Sequence, residues 1–297
     1  MRIRISLPDQ TLELHDARGS LVGRYAVSTS SRGGGEQSGS HCTPRGRHIV
    51  RAKIGSDAPP NSVFIGRRET GELWSTELHA QFPGRDWILS RILWLSGKEP
   101  GRNRLGSVDS MRRYIYLHGT PDSEPLGVPR SHGCIRLGNR DVIELFDRVP
   151  PYTVVDIVEF GLESGGWALL ERDATAVRDA VFVREQGVPA ALEIDGRDPG
   201  CRHVLARDAA GAAIGTGRLL PDGHLGRIAV RAEWRGQGVG AALVERLIEE
   251  SGAAGLSSLE LNAQLPAAGF YERFGFVAEG PEFIEAGIPH RLMRRAS

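Results

Sequence analysis

Apolar and polar positions alternate in short runs through the first half of the chain. Residues 2–7, 11–14, 21–27, 47–54, 62–65 and 114–117 are alternating or β-branched and are punctuated by Gly and Pro, the pattern of short strands joined by turns. Ser28 to Gly39 has three consecutive glycines at 33–35 and little to bury, and it is expected to be a mobile loop. Thr43-Pro44-Arg45-Gly46 reads as a turn leading into the strand His48-Ile49-Val50. Residues 139–148 change the period: Val142, Ile143, Leu145 and Phe146 recur at helical spacing, with Asn139 as the expected cap. Val154 to Val158 closes this half as a strand.

Residues 159–166 are glycine-rich and poor in core formers, and are expected to be a linker. Beyond them the texture changes. Residues 173–186 look helical, 202–208 and 213–220 form a hairpin pattern, and 224–231 read as another strand. Residues 239–250 are strongly helical, with Val239, Leu243, Leu247 and Ile248 on one stripe, followed by a strand over 256–262 and a helix from Ala267 to Phe274. The pattern therefore predicts two domains, a mainly-β one over 1–158 and an α/β one over 167–297.

Composition narrows the class. A chain of 297 residues with 40% apolar and 25% charged residues suits two folded, soluble domains. Net charge is zero, with 22 Lys and Arg against 18 Asp and Glu through residue 160 and the reverse imbalance after it. Neither half carries a dense basic stripe, which argues against nucleic acid as a partner. No window approaches the roughly 18 apolar residues of a spanning helix, and the N-terminus alternates like a strand and does not resemble a signal peptide. A cytoplasmic setting is expected, or a periplasmic one if translation starts further upstream. Cys42, Cys134 and Cys201 are far apart and odd in number, which speaks against a disulfide framework.

The chemistry concentrates in Ser131-His132-Gly133-Cys134-Ile135-Arg136, preceded by His118-Gly119. Thiolate is the reactive form of cysteine, and a nearby imidazole can produce it. His118 ends the apolar run Tyr114-Ile115-Tyr116-Leu117, a rigid position suited to a general base, with the Gly119 carbonyl as its orienting group. His132 is a candidate to assist ionisation or hold the loop, Arg136 to bind a substrate carboxylate, Ser131 to shape the turn, and Gly133 to let main-chain N–H groups face an oxyanion. A zinc site using His41 and Cys42 is an alternative, although Cys-x-x-Cys pairs are absent.

This stretch, with the upstream Thr43-Pro44-x-Gly46 turn, resembles the L,D-transpeptidase (YkuD) catalytic domain across about residues 1–158. The resemblance implies a β-rich fold needing no cofactor. It also implies Cys134 and His118 as catalytic residues, with amides near Gly133 and Cys134 as oxyanion donors. It implies attack on a peptide bond of a peptidoglycan stem peptide, with an amine acceptor giving transpeptidation and water giving L,D-carboxypeptidase activity.

Arg235-Gly236-Gln237-Gly238-Val239-Gly240 lies between a strand and a helix, where glycines let successive amides converge at the positive end of the helix dipole. The spacing fits neither a Walker loop nor a Rossmann fingerprint. Together with Phe182-Val183-Arg184-Glu185-Gln186, Asn262 and Phe270-Tyr271-Glu272-Arg273-Phe274-Gly275-Phe276, it resembles the GNAT N-acetyltransferases over about residues 167–295. That resemblance implies acetyl-CoA as cofactor, its pyrophosphate on the amides of 236–240 and its pantetheine arm along Ile228 to Val230. Tyr271 is then the proton donor to the leaving thiolate and a small amine the acceptor, with Glu185, Glu193 and Asp195 as candidate bases. The readings carried forward are a bifunctional transpeptidase–acetyltransferase, a carboxypeptidase acting on soluble muropeptides and regulated by a non-catalytic GNAT module, and a zinc protein.

Overall fold

The computed structural model describes residues 1–296. The chain divides into two compact units, one of residues 1–14 and 22–159, the other of residues 15–21 with those from 160 onward.

The first unit contains β1 (Arg2–Ser6), β2 (Thr11–His15), β3 (Leu21–Ala26), β4 (Gly46–Ile54), β5 (Ser62–Ile65), β6 (Arg68–Leu73), α1 (Thr76–Gln81), β7 (Ile88–Gly97), β8 (Tyr116–Thr120), β9 (Ile135–Gly138), α2 (Asn139–Arg148) and β10 (Val154–Val158). The sheet runs β3-β2-β1-β10-β4-β7-β5-β6, and β8 joins it by pairing with both β7 and β9. Its apolar faces close over one core in which Ile3, Leu14, Leu95, Leu117, Ile135 and Leu145 are fully buried. Each such side chain contributes about 1.5–3 kcal/mol on burial.

Three expectations change here. The central strand β7 has no alternation to reveal it, because Leu89 through Leu93 are all buried and a strand covered on both faces loses its period of two. Asn139 is the first residue of α2 and not its cap. Its side chain instead accepts from Ser90 Oγ at 2.7 Å and donates to the Thr120 carbonyl at 3.0 Å, tying β7, β8 and the helix together. The start of the expected mobile loop is ordered: Ser28 exchanges backbone hydrogen bonds with Arg136 (3.0 and 2.9 Å), and Ser131 N–H donates to the Thr29 carbonyl at 2.9 Å. Residues 28–30 are at most 2% exposed, since pairing with the cysteine loop satisfies their backbone.

The second unit contains β11 (Phe160–Gly166), α3 (Trp167–Arg178), α4 (Ala190–Glu193), β12 (Arg202–Asp208), β13 (Ala213–Leu219), β14 (His224–Val230), α5 (Val239–Ala253), β15 (Ser258–Gln264), α6 (Ala268–Glu272), β16 (Val277–Glu285) and β17 (Ile288–Ala296), in the sheet order β11-β12-β13-β14-β15-β17-β16. The stretch expected as a linker is mostly β11, paired antiparallel with β12 from Phe160↔Asp208 to Gly166↔Arg202. Its glycines pack little, so the ladder's backbone bonds and not side-chain pattern make it a strand. The helix expected over 173–186 begins at Trp167 and widens into a π-turn over Asp179–Glu185. The functionally decisive irregularity is between β14 and β15. They pair in parallel only at His224↔Glu260 and Leu225↔Leu261 and then part, opening a wedge in the sheet. No helix of the described residues is long and apolar enough to cross a membrane.

Candidate active sites

The first site is built on two adjacent parallel strands. Leu117 is in register with Ile135 and His118 with Arg136. Because Leu117 and Ile135 are fully buried in the core, the period of two turns Tyr116, His118, Cys134 and Arg136 to the opposite face. His118 is 1% exposed and its Nδ1 lies 2.9 Å from the Gly119 carbonyl oxygen. A carbonyl only accepts, so Nδ1 carries the proton and Nε2 is left basic. Burial lowers the His118 pKa below the ordinary imidazole range, which keeps the ring neutral. Gly119 has no room for a side chain: a Cβ there would stand 2.7 Å from the Leu89 carbonyl oxygen and collide with the Asn139 amide.

The cysteine loop is held from within and from outside. Ser131 Oγ donates to the Cys134 carbonyl at 2.6 Å and accepts from the Gly133 N–H at 3.2 Å. Gly133 has φ +127°, open to glycine and rarely to other residues, and its carbonyl accepts from Thr43 Oγ1 at 3.0 Å. With the Gly133 amide engaged, the Cys134 N–H is the candidate oxyanion donor. The Cys134 sulfur lies 3.4 Å from the Tyr114 carbonyl oxygen, which the left-handed conformation of Tyr114 (φ +58°) turns toward it. Burial pushes the Cys134 thiol up to about 12, opposed by the Tyr116 backbone amide and by the charges of Arg136 and Arg113.

Arg113 escaped the sequence reading. Its guanidinium donates to the carbonyls of Gly35 (3.0 Å), Glu36 (2.6 Å) and Cys42 (2.6 Å), which pins the 35–42 segment beside the cysteine loop. A cleft of about 390 Å³ adjoins the loop, lined among others by Asp86, Glu124, Arg130, His132 and Arg136. Arg136 is nine-tenths buried; its Nη2 donates to Asp86 Oδ1 at 2.7 Å and its Nη1 lies 3.6 Å from Glu124.

The second site occupies the wedge between β14 and β15. The loop before α5 has Gly236 at φ +73° and Gly238 at φ +88°, and Gly238 precedes α5 at its N-cap position, with no side chain to cap the helix. The first amides of this 15-residue helix therefore point out of its end unsatisfied by the chain. A Cβ at either glycine would meet nothing within 4 Å, so the space over the loop is open. Downstream lies a cavity of about 380 Å³ lined among others by Ile228, Asn262, Tyr271 and His290. Burial pushes the Tyr271 phenol up to about 12, so it holds its proton at neutral pH.

Residues 1–157 match the family model described as L,D-transpeptidase catalytic domain (YkuD), and residues 171–297 match that of the acetyltransferase (GNAT) domain. The Bacillus subtilis protein named Uncharacterized N-acetyltransferase YjcF is 39% identical over 128 residues, covering 42% of this chain and 91% of its own. Uncharacterized protein YyaT of the same organism is 38% identical over 129 residues, 41% of this chain and 86% of its own. The solved acyl-CoA N-acyltransferase from Pseudomonas aeruginosa is 32% identical and covers 46% of this chain and 99% of its own, with a TM-score of 0.43. The chain belongs to the L,D-transpeptidase (YkuD) family in its first part and to the GNAT acetyltransferase family in its second.

In the YkuD unit the strand pair brings His118, Cys134 and Arg136 to one face, but not His132. The His132 side chain is 68% exposed, 3.6 Å from Asp86 Oδ2, on the wall of the cleft. Cys42 is held by its own segment, with its sulfur 3.4 Å from the Arg32 carbonyl oxygen. Among the described residues no group of three or more His, Cys, Asp or Glu side chains is placed to hold a metal ion, so the zinc reading finds no ligand set here.

In the GNAT unit several expected roles shift. The Arg235 guanidinium forms an exposed two-point pair with Glu185, both contacts at 2.7 Å, and its Nε donates to the Val230 carbonyl. Gln237 donates to the Glu233 carbonyl at 2.9 Å, and the Val239 side chain is buried in the core, leaving its amide. A Cβ at Gly240 would stand 3.6 Å from the Phe270 ring. Asn262 donates to Glu285 at 2.9 Å on the cavity wall, which Val230 does not reach. Each proposed base is bound by arginine: Glu185 by Arg235, Glu193 by Arg178 and Arg227, Asp195 by Arg218 and Arg227. The Arg218 guanidinium holds the Asp195 carboxyl far below the usual range. Glu285 and His290 were missed in sequence, because residues 277–296 carry no pattern distinguishing a cavity wall from a polar edge, and His224 was missed as a single histidine at the start of a strand.

Proposed function

We propose that the first unit, as a domain over 1–158, is a cysteine L,D-transpeptidase acting on peptidoglycan stem peptides, and that the second, over 167–297, is an acetyl-CoA-dependent N-acetyltransferase. The placement of Cys134 and His118 on one face of β8 and β9, with Nδ1 of His118 tied to Gly119, carries the first assignment.

His118 Nε2 takes the thiol proton as the sulfur attacks the carbonyl carbon of the scissile amide. The C–S bond forms, the negative oxygen meets the Cys134 amide, and the C–N bond breaks with the proton on His118 passing to the departing amino group. An incoming amine then attacks the thioester and returns the proton to sulfur through His118. The high thiol pKa keeps the resting pair neutral, so the proton leaves the sulfur as it attacks. Arg130 and Arg136 in the cleft supply cationic groups for a substrate carboxylate, Arg136 by exchange with Asp86.

For the second unit, acetyl-CoA supplies a thioester-activated acetyl group when bound. The open glycine loop and uncapped start of α5 fit a pyrophosphate, and the free edge of β14 beyond Leu225 fits an extended amide-bearing arm. Asn262 lies on the cavity wall, and Tyr271 Oη holds a proton for the departing sulfur.

Mass spectrometry after incubation with a stem tetrapeptide and a D-amino acid tests the first assignment. Exchange of the terminal residue by wild type and not by C134A supports transpeptidation, and loss without exchange makes the unit a carboxypeptidase. No Cys134-dependent change overturns both. CoA release against a panel of amines tests the second; tight acetyl-CoA binding with no turnover would leave a sensing module.

A further inference from the structure

We infer that His290 is the general base of the second unit, accepting the proton of the acceptor amine at Nε2 while Tyr271 serves as the acid in the same cavity. This rests on the N-acetyltransferase reading and extends it to a residue outside the motifs that suggested it.

An amine must lose a proton to become an amide, and the three carboxylates nearest the family motifs are all held by arginine. Glu193 lines the cavity, but it is buried against Arg178 and Arg227. Removing a carboxylate from such a partner costs more than a weak base returns. Glu285, also on the wall, is engaged by Asn262 at 2.9 Å, which leaves two imidazoles there, His224 and His290. His224 sits where β14 and β15 are still paired, opposite Glu260, whose Oε1 is 3.4 Å from its Nδ1.

His290 is at the open end of the wedge. It is in register with Gln264, the last residue of β15, just before the 265–267 turn that leads into α6 and Tyr271. Its Nδ1 lies 2.8 Å from the Ile288 carbonyl oxygen, so Nδ1 carries the proton and Nε2 presents its lone pair. The ring is 9% exposed and stacked on Phe283, with centroids 6.1 Å apart and planes within 25°, so its orientation is fixed. Such fixing is what a base needs. The charged and titratable groups sharing the cavity with it are Glu193, His224, Arg227, Tyr271 and Glu285.

The step balances with two proton movements. The amine nitrogen bonds to the acetyl carbon as the carbon–sulfur bond breaks; the nitrogen's proton passes to His290 Nε2 and the Tyr271 proton to the sulfur. Solvent exchange then restores both residues.

The test uses the full chain, acetyl-CoA and a panel of primary amines and free amino acids. For H290Q we expect kcat to fall by about 10²–10⁴-fold, with acetyl-CoA affinity by calorimetry unchanged. The acid limb of the wild-type kcat/KM profile should vanish, and added imidazole should restore part of the rate to H290A. H224Q should retain that acid limb. A wild-type rate in H290Q, a loss falling on H224Q instead, or equal loss of acetyl-CoA affinity and turnover in H290Q overturns the assignment. Wild type that binds acetyl-CoA yet acetylates nothing overturns the acetyltransferase reading itself, and His290 with it.

Discussion

His118 and Cys134 share one face of two neighbouring parallel strands, while Leu117 and Ile135, one step away on each strand, are locked in the core. The placement of this candidate pair is therefore enforced by hydrophobic burial on the far side of the sheet. Replacing His118 by Gln keeps the strand and removes the base. Transpeptidation should fall by about 10²–10⁴-fold, with the melting temperature close to wild type.

The raised thiol pKa predicts a sluggish free enzyme. In a C42A/C201A background, iodoacetamide should modify Cys134 slowly at pH 7, and the rate should still be rising above pH 9, where a free cysteine with a pKa of about 8.5 levels off. A rate that levels off below pH 8 would show that the thiol is already ionised at rest.

Gly119→Ala tests whether the strand can carry any side chain at that point. The new Cβ meets the Leu89 carbonyl oxygen at 2.7 Å as well as the Asn139 amide, and overpacking of this kind costs about 1–3 kcal/mol. Denaturant titration should show that loss, and activity should fall further because His118 is displaced.

Arg113→Ala removes the bond donors to the Gly35, Glu36 and Cys42 carbonyls and a cation that favours the Cys134 thiolate. Limited proteolysis should then cut within 35–42, and alkylation of Cys134 should slow at every pH below its plateau. Protease resistance equal to wild type would remove Arg113 from this role.

His48 makes stability depend on pH. It is fully buried between the Gly46 carbonyl (3.0 Å) and Ser110 Oγ (2.9 Å), and burial lowers its pKa to about 4. A folded value below the unfolded one means the contribution is complete above pH 6.5 and declines as pH falls, because the unfolded chain binds the proton more readily. The loss should reach about 3 kcal/mol by pH 4, at 1.36 kcal/mol per pKa unit, and H48Q should flatten that part of the profile.

Gly238→Ala separates backbone shape from steric clash in the second unit. Nothing lies within 4 Å of the new methyl, but φ of +88° is strained for alanine, at a cost of about 1–2 kcal/mol. Acetyl-CoA affinity measured by calorimetry should weaken while the cavity around Tyr271 stays intact.

The linear pattern was enough to propose two units, a candidate nucleophile loop and a glycine loop, because these depend on residue type at fixed short spacing. Cys134, His118, Gly236 and Gly238 could be named from the chain alone for that reason. The central strand β7 could not, since burial on both faces erases alternation; nor could β11, whose backbone ladder makes a strand from glycines. The partners of the charged groups lay further out of reach. Asp86 meets Arg136 across 50 residues and Glu185 meets Arg235 across the same interval, and no local pattern encodes such a pairing. Sequence determined which groups could react; the tertiary structure decided which are free to do so, because an ion pair or a buried wall forms only where distant segments are brought together.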